Sequence, residues 1–211
     1  MSRAGPNTHG QMGSQDGNTH RWFPIAVPDD ITHLKQVTGG RYHTFFVFNS
    51  SLFSDKLRIY GCGSNEYGQL GLGKACSQSE LTVIQLPFGL QITQINCGEF
   101  HTAALDEKGQ VWGCGKNTYG QLGLGGIAHA SVWTQIEWPA PITWLGCGSG
   151  YTAFVSEGLL LRAGKCANVK PTTLDAPFLT ALASDTLYWP TVVHDMIDVV
   201  VHDAQFKGNT P

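Results

Sequence analysis

The chain has 211 residues, of which 42% are hydrophobic and only 14% charged, so it can bury a core and does not read as a disordered polymer. Its formal net charge is −3, and its thirteen Lys and Arg form no run or stripe, so direct nucleic-acid binding is not expected. Twenty-six glycines cluster at 61–73, 113–126 and 146–150, as tight turns do in an all-β chain.

From the first residue onward, MSRAGPNTHG lacks the apolar core of a secretory signal. No apolar stretch further on is long enough to cross a bilayer. The expectation is a soluble protein, cytoplasmic and/or nuclear, with no membrane association. At 5–13 the chain reads GPNTHGQMG, a phrase that returns later in fuller form. At 36–47 it reads QVTGGRYHTFFV: an apolar strand, a glycine, two variable residues, His-Thr and a second apolar strand. A long hairpin loop follows at 49–58, NSSLFSDKLR, and then YGCGSNEYGQLGLG at 60–73.

The same order then repeats. QINCGEFHTAAL stands at 94–105, a short DEKGQ hairpin at 106–110, and WGCGKNTYGQLGLG at 112–125. The two glycine-rich sentences differ only at Tyr60/Trp112, Ser64/Lys116 and Glu66/Thr118, and lie 52 residues apart. Gly109 is expected to supply the positive φ of the short hairpin. A third copy begins with WLGCGSGYTAFV at 144–155 and continues only as LLLRAGK at 159–165. From 166 to 211 the pattern is degenerate, although 197–201, IDVVV, reads like the strand that opens another unit.

A glycine-rich loop that cradles phosphate needs a buried parallel strand before it and a helix after it. Neither pattern is present, and the Lys-Ser/Thr of a phosphate loop is missing, so these glycines are read as architecture. Asn65 and Asn117 are expected to bond back to their own loops. Leu70 and Leu122 are expected to plug the groove between neighbouring sheets. A period of about 40–52 residues built from short strands is the pattern of propeller blades, each covering its neighbour's open face.

The phrases C-G-x-x-H-T and G-x-N-x-x-G-Q-L-G resemble the repeats of the regulator of chromosome condensation family. The resemblance is clear over 36–125, partial at 2–13 and 144–165, and faint over 166–211. It implies an all-β fold: a β-propeller of four-stranded antiparallel blades, seven in typical members and often closed by pairing the two chain ends. These 211 residues hold about four blade units, read as one partial propeller domain. The expectation is therefore a fragment of a longer protein. Otherwise a second chain would complete the ring, self-association would cover open blade faces, or the copy after 166 has decayed into a cap.

No catalytic, cofactor or metal site can be assembled from the sequence. His43 and His101 share a slot that Tyr151 fills in the third copy, which suits a hydrogen-bonded structural residue better than a base or ligand. His194-Asp195 and His202-Asp203 lack a nucleophile motif and read as surface residues. The acids Asp29-Asp30 and Asp106-Glu107 read as solvated turn charge. Six cysteines show no C-x-x-C pair, and the shared slots of Cys62 with Cys114 and Cys97 with Cys147 point to packing.

The variable residues of G-x-x-H-T are Arg41-Tyr42, Glu99-Phe100 and Ser149-Gly150, and the family resemblance implies a recognition surface there. Phe53 and Arg58 of the long loop form a second candidate surface. The expected function is a non-catalytic protein-binding module or scaffold. A family-based variant is a regulatory subunit, of the kind tied to tubulin or to tRNA modification. The alternative is a guanine-nucleotide exchange factor for a small GTPase.

Overall fold

The computed structural model describes residues 2–14, 19–24, 31–50, 57–87 and 90–164, and every regular element among them is a strand. All described residues belong to one compact unit, Met1–Asp175. The degenerate stretch 166–211, with its expected strand at 197–201 and both His-Asp pairs, lies outside the described residues, as does Asp29-Asp30.

β1 (Ser2–Gly5) pairs with β2 (Thr19–Pro24) in a two-stranded sheet. β3 (Ile31–Gly39), β4 (His43–Ser50), β5 (Leu57–Gly63) and β6 (Gln78–Val83) form a four-stranded meander. β7 (Ile92–Cys97), β8 (His101–Asp106), β9 (Val111–Lys116) and β10 (His129–Ile136) form the next. β11 (Ile142–Cys147), β12 (Tyr151–Ser156) and β13 (Leu159–Gly164) make a three-stranded third sheet. All pairings are antiparallel, as propeller blades require. The register repeats with the phrases: His43 opposes Gly63, His101 opposes Gly115, and Tyr151 opposes Gly164.

The main apolar cluster lies between the two complete blades. Phe45, Val47 and Ile59 of the first meet Ile92, Ile95, Ala104, Cys114 and Trp133 of the second, and Leu70 is part of the seam. Leu70 and Leu122 are both fully buried, as their slots predict. Gly71 sits so close to the Trp133 indole that a Cβ there would fall 2.5 Å from Nε1.

Each glycine-rich sentence is tied down by its asparagine. The Leu70 amide donates to Asn65 Oδ1 (2.8 Å), and Asn65 Nδ2 donates to the Lys74 carbonyl (2.6 Å). Asn117 repeats this with the Leu122 amide (2.7 Å) and the Ile127 carbonyl (2.7 Å), and Asn7 with the Met12 amide (2.8 Å) and the Ser14 carbonyl (3.0 Å). Replacing Asn65 by alanine strands a buried amide and a carbonyl, and is expected to cost about 2–3 kcal/mol. The urea midpoint of unfolding checks this, and a loss below about 0.5 kcal/mol would rule the tether out.

The hairpin at Gly109 forms with the expected positive φ of 77°. Asp106 departs from expectation. It is buried at the end of β8, where Oδ1 accepts the Lys108 and Gln110 amides (2.9 and 2.8 Å) and Oδ2 faces Trp112 Nε1 (3.4 Å). It closes the hairpin rather than facing water. The long loop is also shorter than its sequence suggests, because Asn49 and Ser50 extend β4 while Leu57 and Arg58 begin β5.

Candidate functional site

Strand alternation places the G-x-x-H loops, at 40–42, 98–100 and 148–150, at the same end of the sheets as the asparagine-tethered loops. Neighbouring G-x-x-H loops are stitched together by their backbones. The Arg41 amide donates to the Glu99 carbonyl, and the Glu99 amide to the Ser149 carbonyl, both at 3.2 Å.

Beneath this row lies a buried polar relay. His43 Nε2 meets Thr102 Oγ1 of the next blade at 3.0 Å, and Thr102 Oγ1 donates to the Gln69 carbonyl at 2.7 Å. His101, Thr152 and the Gln121 carbonyl repeat it at 3.0 and 2.7 Å. Because each threonine proton goes to a carbonyl, each histidine must donate through Nε2–H. That leaves Nδ1 as a bare lone pair, and in both residues it has no hydrogen-bond partner. Burial is the main reason the His43 pKa falls to about 3, with His101 nearby adding to it, and burial likewise takes His101 to about 4. These are neutral structural histidines, as the Tyr151 substitution implies.

Cys62, Cys97, Cys114 and Cys147 pack in the same layer. Cys62 and Cys114 Sγ sit 3.3 Å from the Gln11 and Gln69 carbonyls. Burial pushes the Cys97, Cys114 and Cys147 thiols up, away from the reactive thiolate.

Above the relay, the variable residues come together. The Arg41 guanidinium pairs with the Glu99 carboxylate, which also accepts the Ser149 hydroxyl at 2.5 Å. The Ser149 hydrogen bond first, and Arg41 second, hold the Glu99 carboxyl below its usual range. Arg41 also donates to Tyr42 Oη (3.0 Å) and lies 5.1 Å from the Tyr42 ring centre and 6.0 Å from that of Phe100. Arg41, Tyr42, Glu99 and Phe100 therefore form one cluster.

Phe53 lies outside the described residues. Arg58 does not join the cluster, because it is a strand residue opposite Phe48 near the other end of its blade.

Four further residues of the surface are not singled out by the sequence reading. His9, Tyr67 and Tyr119 occupy one slot, N-x-(Tyr/His)-G, of the repeated sentence. His9 stacks on Tyr42 at 4.2 Å, and Tyr67 meets Phe100 edge-on at 5.3 Å. Lys116 places its ammonium 5.1, 5.3 and 5.5 Å from the Tyr67, Phe100 and Tyr119 ring centres. An aromatic held at a fixed place between Asn and Gly was the available signal. The result is a half-exposed strip of alternating rings and cations across the blades.

Residues 58–105 and 108–155 match the family model of the regulator of chromosome condensation (RCC1) repeat, and a second model of that description matches 92–121. The chain is 32% identical over 126 residues to the ultraviolet-B receptor UVR8 of Arabidopsis thaliana, covering 57% of this chain and 26% of that protein. It is 37% identical over 123 residues to the secretion-regulating guanine nucleotide exchange factor of Mus musculus, covering 57% and 25%. The match thus spans about a quarter of each relative's length. Human WBSCR16 shares the fold, with a TM-score of 0.66 at 22% identity over 81% of this chain and 45% of that one.

Proposed function

We propose that this chain, which belongs to the regulator of chromosome condensation (RCC1) repeat family, acts as a non-catalytic module that binds a protein partner through the loop end of its blades. The observation that carries this reading is the strip formed by Arg41, Tyr42, Phe100, Tyr67 and Lys116. Tyr and Arg are the residue types that dominate binding energy in interfaces. Here they stand on loops pinned by cross-blade backbone bonds, so little side-chain and loop entropy is left to lose on binding. The titratable groups of the layer below, His43 and His101, are locked in structural hydrogen bonds. We place the interaction in the cytosol or nucleus.

The test is quantitative affinity purification of the tagged chain from cells, comparing the wild type with Phe100→Ala and Arg41→Glu. Partners of the loop end should fall at least tenfold with both variants, about 1.4 kcal/mol or more. They should persist with Lys108→Ala, which sits on an exposed hairpin at the opposite end. Equal recovery with all variants would remove this face from consideration.

The likeness to the mouse exchange factor favours one second reading, that the same face opens the nucleotide site of a small GTPase. Release of labelled GDP from a panel of GTPases distinguishes the two. Acceleration that disappears with Phe100→Ala would favour exchange, and no acceleration at micromolar protein would leave the binding module.

A further inference from the structure

At the end of the β7–β10 blade opposite the aromatic strip, the hairpin 106–110 stands as a ridge between two inter-blade linkers. The Glu107 amide donates to the Gln91 carbonyl of the linker before it (3.1 Å), and the Ile142 amide, where the next linker ends, donates to the Gly109 carbonyl (2.9 Å). A cavity opens on each flank of this pinned ridge. The one beside residues 87–91 holds about 250 Å³, and the one beside residues 135–141 about 620 Å³.

The two differ in what they offer a ligand. Trp112 lines the smaller one, and its indole N–H is turned to the Asp106 carboxylate (3.4 Å). Trp138 lines the larger, and among the described residues its indole N–H has no acceptor. The side-chain amides of Gln110 and Gln135, which line the same trough, are likewise unpartnered among the described residues. Its floor is apolar, because Val111 and Ile136 are buried, and Pro139 and Pro141 belong to its far wall. Behind Trp138 only about 10 Å³ is open, among apolar side chains that include Ile142 and Phe154. That is barely room for a water. An occupant therefore lies against the indole and does not pass behind it.

The blade architecture does not require this trough. IQLP at 84–87 returns as IEWP at 136–139, 52 residues on. Leu86 packs onto the main apolar cluster, whereas Trp138, in the same slot, lines the cavity. The second linker is also two residues shorter, since Ile142 opens β11 only 50 residues after Ile92 opens β7. Prolines at 139 and 141 fix φ at two positions of the shortened wall. The Ile142–Gly109 bond ties that wall to the ridge. The trough is thus formed in advance, and little order remains to be lost on binding.

A matching ligand needs flat apolar faces for an indole and two prolines, a series of acceptors for three donors, and few donors of its own. An α-helix spends its carbonyls internally. A polyproline II segment does not: it has no internal hydrogen bonds, its carbonyls are open, and its prolines carry no N–H. Aromatic-lined grooves recognise such segments in this way. Charge at the rim adds a preference, because the exposed Glu107 and Glu137 stand against Lys108 alone.

We infer that the trough between the 106–110 hairpin and residues 135–141 is a docking site for a proline-rich segment of a partner protein, bound as a polyproline II helix with a basic residue beside its prolines. A proline ring stacks on Trp138, the segment's carbonyls accept from Trp138, Gln110 and Gln135, and the basic residue meets the glutamates. This site is separate from the aromatic strip and stands or falls independently of it.

The probe is a synthetic peptide of six prolines between two arginines, blocked at both ends and titrated into the ¹⁵N-labelled full chain. The indole N–H resonance of Trp138, assigned by its absence in Trp138→Leu, is expected to shift saturably, while that of the buried Trp133 stays in place. Affinity, measured by calorimetry, should fall about tenfold or more in Trp138→Leu. The same loss is expected when the peptide's prolines become alanines or its arginines become glutamates. Leucine already fills the equivalent slot at Leu86, and an unchanged melting temperature verifies that the variant folds. Phe100→Ala should bind the peptide as the wild type does, which separates this site from the strip. A Trp138 resonance that does not move would overturn the inference. So would binding that is indifferent to Trp138→Leu, to the loss of the prolines or to the reversal of charge.

Discussion

Replacing Gly98 with alanine is expected to destabilise the protein by about 3–5 kcal/mol, from steric overpacking and a displaced buried hydrogen bond together. The glycine of G-x-x-H is needed here for space, not for an unusual φ. A Cβ on Gly98 would fall 2.0 Å from His101 Cε1, 2.4 Å from its Nδ1 and 2.6 Å from the Gly148 carbonyl. The ring cannot yield without giving up its bond to Thr152, and the carbonyl belongs to the next blade. Gly158→Ala is a useful contrast, because nothing lies within 4 Å of its Cβ and only its φ of 79° opposes the change. It should cost about 1 kcal/mol. Urea unfolding of Gly98→Ala, His101→Ala and the double variant completes a cycle. The double variant should be clearly more stable than the sum of the single losses predicts. Strict additivity would show that the methyl and the ring do not compete for the same space.

That contact illustrates what could and could not be read in advance. The blade order, the asparagine tethers and the Gly109 turn all follow from residues close in sequence, where turn chemistry and strand pattern are local. Leu70 and Leu122 were legible because a repeat makes equivalent positions visible. Asp106 was misjudged because an acid after an apolar strand looks like a solvated turn residue. Its burial depends on two amides that only the closed hairpin brings together. The aromatic strip was half legible. Arg41, Tyr42, Glu99 and Phe100 are marked by varying within an otherwise repeated phrase. Tyr67 and Tyr119 were hidden by the opposite property: as part of the repeated sentence they looked purely architectural. Lys116 could be placed only by three rings drawn from three loops. The relay from His43 to Thr102 spans 59 residues, so no local pattern could announce it.

The relay also sets the acid stability of the fold. Unfolded histidines titrate near 6.5, while burial holds His43 at about 3 and His101 at about 4. Between those values the unfolded chain binds protons that the native chain refuses, so stability falls as pH falls. The contribution of the neutral rings is fully present above about pH 6.5 and is lost progressively towards the native pKa values. Each histidine contributes a slope of about 1.4 kcal/mol per pH unit. Lowering the pH from 6.5 to 4.5 is therefore expected to remove roughly 5 kcal/mol from these two residues, a large part of the stability of an ordinary domain. Glu99 adds a loss of the same sign, but at lower pH, because its carboxyl is held below the usual range. The check is the urea midpoint measured across pH 4.5–7 for the wild type, His43→Gln, His101→Gln and the double variant. Glutamine can keep a donor towards the threonine but has no proton to gain. One substitution should halve the slope and both should nearly flatten it, at some cost in stability at pH 7. An undiminished slope in the double variant would mean that acid attacks the fold elsewhere, and the two buried lone pairs would lose their place as its weak point.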